Sequence, residues 1–213
     1  MSEIPETWPP RPSAALGASV VPLFPLPGVF LYPHQLMPLH VFEPRYLTMM
    51  RDILDSHGQL ILGTVLRTDR ATLEAPDAPP KVLSVAGLGE VARYDKTKDG
   101  RYLIWVLGKG RVTIEEVASD HPYRMVRYTE LPESLPRHSE ATRLDESLRE
   151  AVLSRHKTLE HLPEELPVGV LVDLLAQQLD VPQSVLERIF CEPDVEERAE
   201  LALAAHVGYP STK

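Results

Sequence analysis

The fold is decided by the stretch PLFPLPGVFLYPHQLMPLHVFEPRY, residues 22–46, which places six prolines among bulky apolar side chains. Proline fixes φ and removes a backbone donor, and it also restricts the residue before it. We therefore predict short extended segments rather than one long helix or one uninterrupted central strand. These segments are residues 20–24, 29–32 and 36–39, turned by Pro27-Gly28 and by Pro33. Their apolar content is too high for a solvated linker, so we expect them to be buried.

A helix is predicted to begin where this stretch ends. Pro44 suits the first helical position, where a missing N–H costs nothing, and Glu43 places a carboxylate at the positive end of the helix dipole. Apolar residues then recur at three- and four-residue spacing, namely Tyr46, Leu47, Met50, Ile53 and Leu54. Gly58 is predicted to close the helix.

Composition limits the classes of function. The 213 residues are 43% hydrophobic, which is enough for a substantial core. The net charge of −9, with no run of Lys or Arg, argues against nucleic-acid binding, because that affinity depends on neutralising phosphates. The first ten residues lack a secretory signal, and no apolar run approaches the ~20 residues of a membrane span. We expect a soluble cytoplasmic protein with no membrane contact.

Short apolar runs after the helix predict a β meander. The predicted strands are residues 60–66, 82–85 continuing through 90–94, 101–107, 111–117 and 123–131. Residues 95–100, ending in Asp-Gly, are typical of a hairpin turn, and Gly108-Lys109-Gly110 is predicted to be another turn. Gly87 and Gly89 indicate a bulge or a close backbone approach. With the opening segments this makes six or seven strands, enough to close a small barrel.

The chain is predicted to divide into a tail and two domains. Residues 1–19 show no periodicity and are expected to be a mobile N-terminal tail. Residues 20–133 form the β domain, and the polar, proline-rich residues 132–141 mark its boundary. Residues 140–207 carry helical apolar stripes and predict a C-terminal helical bundle, whose last helix is capped by Asp194 with Glu197 three residues on. The fold class expected is α+β.

Motifs for catalysis or metal binding are absent from the sequence. Gly108-Lys109-Gly110 has no following Ser or Thr, so it is not a phosphate-binding loop. His34 and His40 flank the proline-rich turn with Glu43 near, but no C-x-x-C or H-E-x-x-H supports a metal site. We therefore expect no enzyme activity, no metal and no cofactor.

These residues resemble the substrate-binding domain at the N-terminus of Lon proteases. The resemblance begins with PLFPLPGVFLYP and MPLHVFEPRYLTMMRD, residues 22–33 and 37–52. It continues through residues 87–91, 99–102, 107–112 and 122–124 and covers about residues 20–207. It implies a PUA-like β pseudo-barrel with an inserted helix, followed by a helical bundle. It also implies a stand-alone form, because the ATPase and Ser-Lys peptidase domains of full-length Lon have no place in the six residues after Val207.

The function implied by the resemblance is non-catalytic polypeptide recognition, with a role as an adaptor in protein quality control. Two alternatives stay open: an RNA-binding PUA-like protein and a small-molecule-sensing barrel. The expected partners are unfolded or hydrophobic polypeptide segments, and a homodimer is left open. The candidate peptide-binding residues are Phe24, Phe30, Tyr32, Arg45 and Tyr46. In the simpler interpretation, Glu43 and Arg45 only fix the helix start while Tyr46 packs beneath them.

Overall fold

The computed structural model of this chain describes residues 20–66, 79–155 and 161–210. The tail expected at residues 1–19 lies outside the described residues. Tertiary contacts divide the chain into two compact units, Met1–Leu131 and Pro132–Lys213. The described residues form one six-stranded sheet and five helices, so both element types occur as the sequence predicts.

The first unit contains the sheet and one helix. Its strands, in chain order, are β1 Val20–Pro27, β2 Leu36–Val41, β3 Gln59–Val65, β4 Val85–Lys96, β5 Tyr102–Val117 and β6 Met125–Glu130. Helix α1, Pro44–Leu54, connects β2 to β3. Gly58 has a φ of 67° and its N–H donates to the carbonyl of Ile53, so it ends the turn after the helix.

Strand β1 contains three prolines and nevertheless runs unbroken for eight residues. It pairs antiparallel with β6 through residues 20–22 and parallel with β3 through residues 23–27. Each part of the strand therefore has a named partner strand on one side only, and a proline nitrogen on the other side costs no ladder hydrogen bond. The first extended segment therefore continues to Pro27 and not only to residue 24, while residues 22–46 as a whole are, as predicted, not one uninterrupted strand.

The sheet closes on itself. Its order is β2-β5-β4-β3-β1-β6, and β6 also pairs with β5. Strands β5, β4, β3, β1 and β6 thus form a ring, while β2 pairs with β5 outside it. One apolar cluster takes residues from all five ring strands and fills the interior: Val21, Leu23, Ile61, Ala86, Leu88, Val112 and Val126.

Residues 29–32 do not form the predicted strand. They are irregular in conformation, although Phe30, Leu31 and Tyr32 are buried. This segment crosses directly over glycines of β4 and β5. A Cβ on Gly87 would lie 2.5 Å from the carbonyl oxygen of Leu31, and one on Gly108 would lie 2.0 Å from that of Tyr32. The close backbone approach predicted at Gly87 is confirmed.

The turn predicted at Gly108-Lys109-Gly110 is wrong. These residues lie within β5, which continues for 16 residues from Tyr102 to Val117. Gly108 accommodates the crossing segment, and its N–H donates to the carbonyl of Gln35 at 2.8 Å. A register shift between β4 and β5 at Leu88/Gly89 supplies the predicted bulge.

Helix α1 covers a second core on the other face of the sheet. Its buried residues Tyr46, Met49, Met50 and Ile53 belong to one cluster with side chains of β1, β2, β3, β4 and β5. The cluster also contains Leu31 from the crossing segment. The apolar spacing read from the sequence therefore predicts the correct face of α1.

The second unit is helical in its described part. Its helices are α2 His138–Arg155, α3 Val168–Ala176, α4 Gln183–Cys191 and α5 Val195–Gly208. Helix α2 packs on α3 and α5, and α5 also contacts α3 and α4. The cap predicted at Asp194 is confirmed, because its carboxylate accepts from the backbone N–H of Glu196 and Glu197.

A fully buried arginine lies at the centre of this unit. Nη2 of Arg198 is 2.7 Å from Oε1 of Glu133, and its Nε is 3.8 Å from Oδ1 of Asp173. Its Nη1 also donates to the carbonyl of Glu192 at 3.0 Å. A buried charge without such partners would be costly, so these contacts fix α3 and α5 against residue 133.

Candidate functional site

The junction between β2 and α1 carries two of the predicted site residues. Glu43 is the extended N-cap residue and Pro44 follows it at the helix start. Nη2 of Arg45 is 2.9 Å from Oε2 of Glu43, and the guanidinium of Arg45 lies 4.6 Å from the centre of the Tyr46 ring. Tyr46 is buried. These contacts match the simpler interpretation, in which Glu43 and Arg45 fix the helix start.

A cleft of about 270 Å³ opens beside this junction. Apolar, mostly proline and aromatic, residues form much of its lining: Pro25, Tyr46, Pro79, Pro80, Val117, Pro122, Tyr123 and Met125. The hydroxyl of Tyr123 donates to Oδ2 of Asp52 at 2.6 Å. Burial and the Asp52 carboxylate raise the pKa of Tyr123 well above its usual range, and burial raises that of Tyr46. Both phenols therefore stay protonated at neutral pH.

The arginines of this cleft are neutralised by carboxylates. Nε of Arg124 donates to Oε2 of Glu116 at 2.9 Å, and its Nη1 donates to the carbonyl of Pro80 at 2.8 Å. The Arg124 guanidinium lowers the pKa of the Glu116 carboxyl by hydrogen bonding, so Glu116 stays ionised. Since Arg45 is also paired, the cleft is a poor site for a phosphate or another anion.

The aromatic residues predicted to bind peptide lie in the core. Phe24, Phe30, Tyr32 and Tyr46 are only 3–6% exposed. Phe24 and Tyr46 contact each other with ring centres 4.5 Å apart. The four rings therefore lie beneath the surface, whereas the Arg45 side chain is 49% exposed. Their assignment to peptide binding stays a prediction, and the exposed apolar surface of this unit is formed by other residues.

That surface lies on the outer side of β2 and β5. Directly opposite residues in the ladder are Leu36 with Leu107, Pro38 with Trp105, and His40 with Leu103. Opposite residues of an antiparallel pair point to the same face, so two adjacent rows of mostly apolar side chains result. We call this surface the outer face and define it by Leu36, Pro38, Phe42, Leu103, Trp105 and Leu107.

Several members of the outer face are unusually exposed for large apolar residues. Leu36 is 53% exposed, Phe42 57% and Leu103 40%. Phe42 continues the β2 row, and its ring lies 5.6 Å from that of His40. Exposed apolar residues that cluster in this way mark interaction sites. None of them is among the residues predicted to bind peptide, which are Arg45 and aromatic residues of the opening stretch.

The charges that border the outer face are paired. Nη2 of Arg93 is 3.2 Å from Oδ2 of Asp95, and its guanidinium lies 4.9 Å from the centre of the Trp105 ring. Lys109 and Glu90 form a second pair at 3.6 Å. The outer face therefore carries little net charge, although the chain as a whole has a charge of −9.

Two kinds of feature are not found among residues 20–66, 79–155 and 161–210. No group of three or more His, Cys, Asp or Glu side chains is placed to hold a metal ion. No helix in this part of the chain has the length and apolar character needed to cross a membrane. His34, one of the two histidines weighed as ligands, lies in the turn before β2 with a φ of 63°.

Comparison with known proteins identifies relatives of this chain. The family model for the ATP-dependent protease La (LON) substrate-binding domain matches residues 20–205. Lon protease 2 of Sorangium cellulosum is 28% identical over 211 residues, which cover 92% of this chain and 25% of that protein. The Lon protease of Brevibacillus choshinensis is 25% identical over 195 residues, covering 88% and 24%. The chain thus spans about a quarter of the length of these relatives.

Solved structures of Lon N-terminal domains have a similar fold. The Lon N-terminal domain protein from Xanthomonas campestris superposes with a TM-score of 0.61 at 21% identity, covering 87% of this chain and 97% of that one. The N-terminal domain of Lon protease from the Mycobacterium avium complex gives a TM-score of 0.66 at 16% identity, covering 88% and 98%. Because the family model matches most of the described residues, the chain belongs to the ATP-dependent protease La (LON) substrate-binding domain family.

Proposed function

We propose that this domain recognises polypeptide without catalysis and binds unfolded or hydrophobic segments. The observation that carries the proposal is the outer face, where Leu36, Phe42 and Leu103 are each at least 40% exposed. Unfolded chains differ from folded ones in displaying apolar side chains, and an apolar surface with paired charges suits them. The name of the family, a substrate-binding domain, agrees with this role.

The proposal also assigns an architecture to each of the two units. The ring of five strands with α1 on one face is the PUA-like pseudo-barrel with its inserted helix, and α2 to α5 are the helical bundle. The closed pairing of β6 with both β1 and β5 supports the first assignment. An adaptor role, in which the bound segment is handed to a protease, extends the proposal to a partner.

The arginines and phenols of the cleft support an absence of catalysis. Both of its arginines are paired with carboxylates, and both of its phenols have raised pKa values. A general acid or base works best with a pKa near the working pH, and a nucleophile needs an adjacent base. These two arginines and two phenols are therefore poorly suited to catalysis. Ser119 and His121 also line the cleft: the hydroxyl oxygen of Ser119 accepts the backbone N–H of His121 at 3.2 Å, and Nδ1 of His121 lies 3.8 Å from Oδ2 of Asp52.

The test is a titration of an unfolded polypeptide and of single-stranded RNA. Reduced, carboxymethylated α-lactalbumin serves as the polypeptide and oligouridine as the RNA. We expect micromolar binding of the polypeptide that changes little between about 50 and about 200 mM salt, because apolar burial is not screened, whereas RNA binding falls steeply over that range. Isothermal calorimetry gives both affinities.

Two variants locate the binding. Leu103→Ser is expected to weaken the polypeptide complex, while Leu135→Ser, at a site 79% exposed in the second unit, is the matched control and should leave it unchanged. Circular dichroism checks that both variants fold. Salt-sensitive binding of oligouridine without binding of α-lactalbumin would contradict the proposal in favour of an RNA-binding protein.

A further inference from the structure

Strand β2 has an open edge. It is the terminal strand in the sheet order, and β5 is its partner among the described residues. Strand β6 is terminal too, but it pairs back onto β5. Within the described part of the chain, β2 therefore presents backbone N–H and C=O groups that no strand of the sheet uses. Such an edge is a template for pairing with another chain.

Backbone contacts show which groups face outward. The N–H of Gly108 donates to the carbonyl of Gln35, so Gln35 points toward β5. Backbone groups of successive strand residues alternate in direction, and Leu36, Pro38 and His40 therefore point toward the open edge. Pro38 fits this assignment, because proline is tolerated in a strand where its missing N–H would face solvent.

An added strand would meet apolar side chains on both of its faces. Leu36 and Pro38 lie on the outer face, while Met37 and Leu39 are half-buried against the core beneath α1. The outer row is continued by Phe42. A segment paired along β2 would thus bury alternate side chains above and below the sheet.

Charge restricts the occupant to a segment without ionised side chains in its centre. The pairs Arg93–Asp95 and Lys109–Glu90 leave no net charge on the neighbouring rows of β4 and β5. A charged residue placed on the added strand would lose hydration without gaining an opposite charge. The surface therefore favours an uncharged, apolar segment.

A second copy of this chain is a poorer occupant. A two-fold pairing of β2 with itself buries the same six residues on both chains. It would place both copies of Pro38 near the two-fold axis, so two backbone N–H donors would be missing from a short ladder of hydrogen bonds. A strand from another polypeptide would meet only one proline. Each copy also carries a net charge of −9, which opposes association.

We propose that β2 binds an extended, uncharged apolar segment of a client polypeptide as an additional strand of the sheet. This inference rests on the proposed function and adds its site and mode of binding. Backbone hydrogen bonds along the edge supply affinity that does not depend on client sequence, and alternate apolar side chains select for unfolded segments.

The experiment uses backbone-methylated peptides and the unmodified full chain. The probe is a fluorescein-labelled peptide that alternates Leu and Thr, carried on a Gly-Ser tail. Two further versions have N-methyl groups on every Leu or on every Thr, which removes one set of donors and keeps the side chains. We expect one of the two methylated peptides to bind about ten-fold more weakly or worse than the unmodified peptide, because it has lost the N–H groups that face β2. The other methylated peptide should bind nearly as well as the unmodified one.

A pair of protein variants fixes the location. Leu36→Ser should weaken the unmodified peptide about ten-fold relative to the control Leu135→Ser, since one buried leucine side chain is lost from the contact. Equal binding of all three peptides, or equal binding by the two variants, would overturn edge addition at β2. A dimer that sedimentation shows to be dissociated by Leu36→Ser would overturn it in favour of a second copy.

The outcomes separate this inference from the proposed function. If unfolded α-lactalbumin binds but methylation has no effect, edge addition fails and polypeptide recognition stands. If neither α-lactalbumin nor the unmodified peptide binds, the proposed function fails and the inference fails with it.

Discussion

Gly87 and Gly108 set the path of the segment that leads to the outer face. Their Cα atoms lie directly beneath the carbonyls of Leu31 and Tyr32, so that no side chain fits between the crossing segment and the sheet. The crossing buries Leu31 completely. It also brings His34 beside the middle of β5, where its N–H donates to the carbonyl of Gly108. The position of β2 therefore depends on these two small residues.

Gly108→Ala should destabilise the first unit, and Gly110→Ala should not. The new Cβ at position 108 would lie 2.0 Å from a backbone oxygen, whereas nothing lies within 4 Å of a Cβ at position 110. Overpacking typically costs about 1–3 kcal/mol, and a clash with backbone lies at the upper end because the backbone cannot rotate away as a side chain can. Urea unfolding of both variants measures the difference in unfolding free energy, and equal values would show that the crossing segment is not held against β5.

Part of the outer face could have been predicted from the sequence. In RYLIWVL, residues 101–107, both alternating sets are apolar: Tyr102, Ile104 and Val106 are buried, while Leu103, Trp105 and Leu107 are not. A strand with one wet face should alternate with polar residues, so this pattern indicates a second apolar surface. It does not indicate which set is exposed, because that depends on the position of α1.

At the scale of elements, helices α2 and α5 are joined at their C-terminal ends. Nε of Arg155 donates to Nδ1 of His206 at 2.7 Å, and Nη2 donates to the carbonyl of His206 at 3.0 Å. An imidazole nitrogen that accepts this bond is unprotonated. Burial lowers the pKa of His206, the positive charge of Arg155 lowers it further, and Glu150 opposes the shift.

This contact predicts a loss of stability on acidification. Because the pKa of His206 is lower in the folded state, its contribution is complete above the unfolded value of about 6.5 and is lost as the pH falls below it. His206→Gln keeps an acceptor and removes the titration. Urea unfolding at about pH 7.5 and about pH 5.5 should show a larger loss for the unmodified chain than for this variant.

The control for acidification is His161→Gln, at an exposed position of the same unit. It should behave like the unmodified chain. If His206→Gln loses as much stability as the unmodified chain between the two pH values, the proposed contribution of His206 is wrong.

Elements were predicted well from the sequence where the signal is local. The stripe of α1, the cap of α5 and the hairpin at Asp99-Gly100 all follow from neighbouring residues, and Gly100 has the expected positive φ of 85°. The continuity of β1 was not predictable in this way. It depends on a change of partner from β6 to β3 between Pro22 and Leu23, which is a property of the sheet and not of the strand.

The whole molecule consists of two units with separate apolar cores. The first unit is stabilised by the cluster inside the ring and the cluster beneath α1. The second is stabilised by buried residues of all four helices, among them Leu148, Val172, Phe190 and Ala199. Each unit has its own hydrophobic core, as domains that fold independently do.

Val172→Asp is therefore expected to unfold the second unit and leave the first folded. Val172 is fully buried, and an unpaired buried charge costs several kilocalories per mole of a total stability of about 5–15 kcal/mol. Two spectroscopic signals distinguish the units. Tryptophan fluorescence reports on the first unit, because Trp8 and Trp105 both precede Pro132, and the helical circular dichroism reports mainly on the second, because four of the five described helices follow Pro132. Circular dichroism should lose helical signal while tryptophan fluorescence and peptide binding persist.

Val207→Asp, 78% exposed on α5, is the matched control and should change neither signal. If Val172→Asp abolishes both signals together, the two units fold as one cooperative structure, and the binding surface on the first depends on the second.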